Sequence, residues 1–128
     1  MKVKFTAENF NKIVKLCGNV CAKKSDRRPV LEHICLDISY DQCVAVGVNG
    51  YELVKCNVEC ESEETGRILL LPVKLPRQAT HVEIDADAHS IRITATYYGT
   101  TLRTDIQNVC EAEYINYKFL VPEPYERT

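Results

Sequence analysis

The stretch from Ser25 to Val54, SDRRPVLEHICLDISYDQCVAVGVNGYELV, restricts the fold more than any other part of the chain. Pro29 stops a charged loop, after which Ile34, Leu36 and Ile38 share one face of an alternating run. Tyr40-Asp41-Gln42 breaks that run, Val44, Val46 and Val48 form the next, and Asn49-Gly50 breaks again before Leu53. A period of two sends alternate side chains to opposite faces of a sheet, and Asp, Asn and Gly supply the tight reversals. The stretch therefore predicts an antiparallel meander.

The flanking sequence extends this plan. Lys2 to Thr6 is a short strand with Val3 and Phe5 on one face. Thr6 is placed to cap a helix, and Glu8 falls in its first turn, where the positive end of the helix favours an anion. Phe10, Ile13, Val14, Cys17, Val20 and Cys21 make one apolar stripe, which predicts a helix to about Ala22. Asn11, Lys12, Lys15 and Asn19 lie off the stripe and leave a polar, basic face. Leu53 to Cys60 reads as a third strand, with Val54, Cys56, Val58 and Cys60 alternating. Arg67 to Leu71 does not alternate, so it reads as a strand covered on both sides or central in its sheet. Pro76 limits Val73 to Thr80 to one helical turn at most. Three further strands carry Val82, Ile84 and Ala86, then Ile91, Ile93 and Ala95, then Leu102, Thr104 and Ile106, and Tyr114 to Val121 closes the fold. The chain thus has two halves of similar plan, each opening with a strand, then a helix or its remnant, then three strands.

A chain of 128 residues forms one domain, here 1–122, with a tail at 123–128. No run of about 18 apolar residues is present, and MKVKFTAENF lacks the apolar centre of a signal peptide, so no membrane partner and a cytoplasmic location are expected. Seven cysteines, an odd number with no secretion signal before them, argue against a disulfide framework. Cys17/Cys21 and Cys56/Cys60 are each four apart rather than in the closer CxxC spacing of zinc sites, so they read as small buried apolar groups and no metal or cofactor is expected. The net charge of −2 is unevenly spread: residues 1–30 carry eight basic and two acidic groups, and the remainder eight basic and sixteen acidic. A basic first quarter on an acidic body is a footprint for a polyanion, although a solvated helix face has the same composition. His33, His81 and His89 are scattered, and no P-loop, GxGxxG, HExxH or nucleophile elbow occurs, so an enzyme is not expected.

Four segments, in order, carry a resemblance. They are Ser25 to Leu31 (SDRRPVL), Val46 to Val54 (VGVNGYELV), Leu69 to Lys74 (LLLPVK), and Glu113 to Pro122 (EYINYKFLVP). In this order they resemble one domain of the bacterial beta sliding clamp, the processivity factor of replicative DNA polymerase, and most closely its middle domain. The resemblance implies an α+β, DNA-clamp-like domain: two antiparallel four-stranded sheets, one N-terminal helix and a second, eroded helix. Tyr51 stands where the family usually has His, Glu52 where it has Arg, and His33 where it has a small residue. The family's chains carry three such domains.

Several consequences follow from the resemblance. The matching duplex-facing residues are Lys12, Lys15, Lys23, Lys24, Arg27 and Arg28, which would neutralise phosphates without reading sequence. The family's groove for short peptides of partner proteins maps to Leu31, Val48, Gly50, Tyr51, Leu53, Val121 and Pro122. Implied partners are double-stranded DNA, bound nonspecifically, and replication proteins such as a DNA polymerase. One domain cannot encircle DNA, so closure implies a head-to-tail homo-oligomer, with a homohexamer matching the family's six-domain ring. The alternative reading is a clamp-fold protein-interaction module or regulator that does not encircle DNA.

Overall fold

The computed structural model describes residues 1–21, 29–49, 52–114 and 116–117. Strand β1 (Lys2–Thr6) leads into helix α1 (Ala7–Leu16), and a 3-10 turn at Pro29–Glu32 precedes β2 (Ile34–Ser39), β3 (Gln42–Val48) and β4 (Leu53–Glu59). Strands β5 (Glu61–Ser62), β6 (Thr65–Leu70), β7 (His81–Ala86), β8 (Ser90–Tyr97) and β9 (Thr100–Asn108) follow. They form a five-stranded sheet, β5-β1-β7-β8-β9, and a four-stranded sheet, β4-β3-β2-β6. The expected four-plus-four arrangement is therefore enlarged by two-residue β5, which adds to the free side of β1 by pairing Ser62 with Val3 and Glu61 with Lys4.

The two halves exchange their first strands. β1 pairs antiparallel with β7, and β6 pairs antiparallel with β2, so each three-stranded meander is completed by the opening strand of the other half. One main core then joins α1 to both sheets, through Val3, Phe5, Phe10, Ile13, Leu36, Leu70, Ile84 and Ile93 among others. The segment between β6 and β7, which stands where α1 stands in the first half, has only a turn at Arg77-Gln78. Pro72 and Pro76 account for that, because neither can donate a helical hydrogen bond.

Helix α1 begins as its sequence dictates, with the Thr6 hydroxyl accepting from the Asn9 amide at 3.2 Å. It ends at Leu16, short of the Ala22 predicted by the apolar stripe. The Gly18 amide still donates to Val14 O, but the Val20 amide turns back to Cys17 O, which tightens the coil. Burial continues through Cys21 without helical backbone, because the turn is packed on β3. Gly47 makes that possible: a Cβ there would lie 2.2 Å from Cys17 O.

The outer face of the four-stranded sheet carries a second, smaller core. Ala45 opposes Leu36 and Cys43 opposes Ile38, so those residues face the main core and Val44, Val46 and Val48 face away from it. Val46 and Val48 are nevertheless buried, together with Cys35, under Val30, Leu31, Tyr114 and Tyr117. This explains why β6 does not alternate. Ile68 and Leu70 are buried in the main core while Leu69 packs against the second one, although β6 is an edge strand rather than a central one. The expected closing strand at Tyr114 to Val121 is not formed at Tyr114, Asn116 or Tyr117, and the rest of that segment lies outside the described residues. Here two aromatic anchors hold the chain instead of a ladder.

The outer face of the five-stranded sheet has a different character. Cross-strand neighbours run Lys2–Asp85–Arg92 in one row and Glu61–Lys4–Glu83 in the next. Opposite charges alternate along both rows, and Lys2 also reaches diagonally to Glu83 at 4.0 Å.

Candidate nucleic-acid interface

Lys12 and Lys15 project from the exposed side of α1, one turn apart, with Asn11 and Leu16 beside them. The opposite side of the helix is anchored by Phe10, Ile13 and Cys17, none of which retains any exposure. This amphipathic split fixes which way the two amines point. Lys23, Lys24, Arg27 and Arg28, the remaining members of the expected basic surface, lie outside the described residues. Lys74 and Arg77 are exposed cations that the sequence reading left out. They belong to the segment that replaces a second helix, and that segment passes beside α1, since a Cβ on Gly18 would be 3.4 Å from Pro72 Cβ. The signal for them was the two-half plan, which makes residues 71–80 the counterpart of α1.

Of the expected peptide groove, Leu31, Val48 and Leu53 are described, and the structure brings all three into the second core. Leu31 and Val48 are buried there, while Leu53 is half-buried. Gly50, Tyr51, Val121 and Pro122 lie outside the described residues. Tyr114 and Tyr117, which were not assigned a role from sequence, pack on this apolar surface edge to face, with ring centroids 6.5 Å apart. The Tyr114 hydroxyl donates to Val46 O. The Tyr117 hydroxyl donates to Asp37, which also receives Arg67 through Nε at 2.6 Å and Nη2 at 3.1 Å. Arg67 lies over the Tyr117 ring, 5.8 Å from its centroid. Hydrogen bonding to Asp37 holds the Arg67 guanidinium firmly protonated, and burial pushes both tyrosine hydroxyls up from their ordinary range. The constellation is a charge-assisted latch for Tyr117.

The histidines do not converge. His33 is buried directly after the 3-10 turn, His81 opens β7, and His89 lies in the turn between β7 and β8. All seven cysteines are free, and six are buried, with Cys110 only partly so. Burial pushes Cys17 and Cys35 up to about 12 and Cys21 and Cys60 up to about 11, so these thiols stay neutral and unreactive near neutral pH. Among the described residues no group of three His, Cys, Asp or Glu side chains could hold a metal ion. No helix of the described residues is long and apolar enough to cross a membrane.

Two sheets assembled from strand-exchanged halves, with a helix packed against both, define a clamp-type domain. Solved structures with this fold are bacterial replication clamps. The DNA polymerase III beta subunit of Thermotoga maritima superposes with a TM-score of 0.77 at 16% identity, over 96% of this chain and 34% of that one. The DNA polymerase sliding clamp of Pseudomonas aeruginosa gives 0.78 at 17% identity, over 96% and 35%. That of Bacillus subtilis gives 0.79 at 9% identity, over 96% and 33%. The chain therefore has the fold of one domain of a bacterial sliding clamp and spans about a third of the length of those chains. No family model matches the sequence, and neither does any curated protein.

Proposed function

We propose that this chain is a sliding-clamp-like DNA-binding domain that takes duplex DNA along the exposed side of α1 without reading its sequence. The observation that carries the reading is the pair Lys12 and Lys15 on the outward side of a helix whose other side is sealed into a clamp-type core. Lys23, Lys24, Arg27 and Arg28 extend that basic surface by sequence, and Lys74 and Arg77 extend it across the segment beside α1. Amines on a rigid helix neutralise phosphates through long, adaptable stems, which holds a duplex without fixing its register. The role is binding rather than chemistry: processivity or the recruitment of replication proteins such as a DNA polymerase, in the cytoplasm. A single domain needs further copies to enclose a duplex, and the free edges of the two sheets are where copies can join.

The test is fluorescence anisotropy of labelled duplexes of unrelated sequence at several salt concentrations. The reading expects equal affinities for all sequences and a steep linear fall of log K with log salt. Lys12→Gln and Lys15→Gln are each expected to reduce that slope by about 0.9. Binding that ignores salt, or slopes unchanged in both variants, overturns it.

A second reading, a clamp-fold module that binds protein partners without enclosing DNA, is favoured by the second core. Leu31, Val48 and Leu53 gather in the second core beside Tyr114 and Tyr117, where Leu53 alone of the three keeps part of its surface open to a short apolar peptide. Retained peptide capture by a chain that binds no duplex would select this reading.

A further inference from the structure

We propose that Asn49 is a site of self-modification, at which the side-chain amide is displaced by the backbone nitrogen of Gly50 and leaves as ammonia. The chain has seven asparagines, and Asn49 alone precedes a glycine. The other six precede Phe10, Lys12, Val20, Val58, Val109 and Tyr117. The reaction closes a ring between the side-chain carbon of asparagine and the nitrogen of the next residue. A β-carbon on that next residue crowds the closure, and glycine has none. Gly50 lies outside the described residues and enters by its identity alone.

The described neighbours hold the carboxamide ready for this step. Asn49 and Glu52 close the turn between β3 and β4, with the Asn49 amide donating to Glu52 O at 3.2 Å. The return bond runs from the Glu52 amide to the side-chain oxygen, Asn49 Oδ1, at 2.9 Å. The side chain therefore reaches forward across the turn, in the direction the main chain takes after Asn49. The Glu52 N–H also sits on the oxygen that gains negative charge when a nitrogen adds to Cγ, so it stabilises the tetrahedral adduct. Asn49 is half-buried and Glu52 exposed, so water and hydroxide reach the turn.

The step needs only water and hydroxide. Hydroxide takes the Gly50 amide proton, the nitrogen bonds to Asn49 Cγ, and the Cγ–Nδ2 bond breaks, with Nδ2 taking up a proton and leaving as ammonia. One water then opens the cyclic imide. Cleavage between Cγ and the Gly50 nitrogen leaves aspartate, and cleavage between the Asn49 carbonyl carbon and that nitrogen leaves isoaspartate. Either product carries a carboxylate where a neutral amide stood, next to the carboxylate of Glu52. Isoaspartate also lengthens the main chain by a methylene directly after Val48, whose pairing with Leu53 ends the β3–β4 ladder. Val48 is part of the second core and Leu53 packs against it, so the change falls at the edge of that apolar surface. The chain thus carries an irreversible chemical clock on one turn.

The test is peptide mapping of the full chain after incubation in the folded state, at neutral and at mildly alkaline pH. Trypsin excises residues 28–55, since Pro29 protects the Arg28 bond, and that peptide holds Asn49 and no other asparagine. The peptide is expected to show the mass gain of an amide-to-acid exchange before any other asparagine does, at a rate that rises in step with hydroxide. It should split into two products, one co-eluting with the same peptide from Asn49→Asp. The other should accept a methyl group from S-adenosylmethionine in the presence of isoaspartyl methyltransferase. Gly50→Ala should slow the loss severalfold, and Asn49→Gln should remove the early products, because a longer side chain must close a larger ring. With the Glu52 amide already on Oδ1, the folded chain should react at least as fast as the chain unfolded in urea. Earlier loss at another asparagine, a rate indifferent to pH, Gly50→Ala reacting as fast as the parent, or a folded chain that stays intact while the unfolded one reacts overturns the proposal. Far-UV circular dichroism shows whether the variants fold. No DNA enters the readout, so this result and duplex binding are decided separately.

Discussion

Gly47→Ala is expected to be a damaging methyl addition, as is Gly18→Ala, whose Cβ would lie 2.3 Å from Val14 O. At Gly47 the new Cβ would lie 2.2 Å from Cys17 O, 2.9 Å from Cys17 C and 3.0 Å from Cys17 Cα. All three are backbone atoms, so no side chain can rotate away, and the turn after α1 must retreat by about 1 Å to reach ordinary contact distance. That turn carries Cys21, buried and bonded through Sγ to Cys17 O at 3.3 Å and His33 O at 3.4 Å. Overpacking against a rigid neighbour costs about 3 kcal/mol, the upper part of its usual range. For a chain of this size that corresponds to a fall of about 12 °C in the melting midpoint. Two other glycines serve as controls with different physics. Gly99→Ala meets nothing within 4 Å, but its φ of +88° disfavours a side chain and costs about 1 kcal/mol. Gly66→Ala meets only the thioether end of Met1, at 3.1 Å, which can swing aside. The three variants should therefore rank Gly47, Gly99, Gly66 in urea denaturation followed by circular dichroism. If Gly47→Ala falls within about 0.5 kcal/mol of the parent, or costs less than Gly99→Ala, then the end of α1 does not rest on β3 as described.

Three further outcomes follow. Tyr117→Phe removes the hydroxyl that donates to Asp37 and should cost about 1–2 kcal/mol, while Asp37→Ala, which also strands Arg67, should cost more; equal stability of all three proteins would remove the latch. Gln107→Ala deletes both side-chain bonds to the Leu71 backbone and should cost about 1–2 kcal/mol while speeding hydrogen exchange at the Leu71 amide; unchanged exchange there would contradict the clasp. The cysteines predict an alkaline limit. Burial raises Cys17, Cys21, Cys35 and Cys60 above the unfolded value of 9.0, so their stabilisation is complete below pH 9 and is lost as pH rises toward 11 to 12. The melting midpoint should be level as far as these groups act up to about pH 8.5 and fall beyond it, with Cys110 the fastest thiol to react with a disulfide reagent in the native state. A midpoint unaltered at pH 10.5, or rapid reaction of several thiols, would refute this.

Where one physical signal dominated, the fold was legible from sequence. The Thr6 cap, the stripe from Phe10 to Cys21 and the period-two runs of β2, β3, β7 and β8 each follow from side-chain direction alone. The strand exchange was not legible, because pairing β1 with β7 and β6 with β2 is a long-range choice that no local pattern encodes. The end of α1 was overestimated because Val20 and Cys21 keep their helical spacing of apolar residues after the backbone has left the helix. The Val44, Val46 and Val48 run showed alternation but not which face it served, and its cover includes Tyr114 and Tyr117, which arrive from far along the chain. Of the candidate interface, Lys12 and Lys15 were readable as the polar side of an amphipathic helix. Lys74 and Arg77 were hidden because a segment broken by prolines has no periodicity from which to infer a face.

The charge rows on the outer face of the five-stranded sheet have an effect at a distance. Neighbouring strands are spaced about 4.8 Å apart, so alternation of sign repeats every 9.6 Å or so, and the potential above such a lattice fades by a factor of e in about 1.5 Å. That is far shorter than the roughly 8 Å over which physiological salt screens an isolated charge. A molecule drifting past Lys2, Asp85, Arg92, Glu61, Lys4 and Glu83 meets a self-quenched wall. On the proposed reading, a polyanion would meet attraction at the helix and a nearly balanced field above these charge rows.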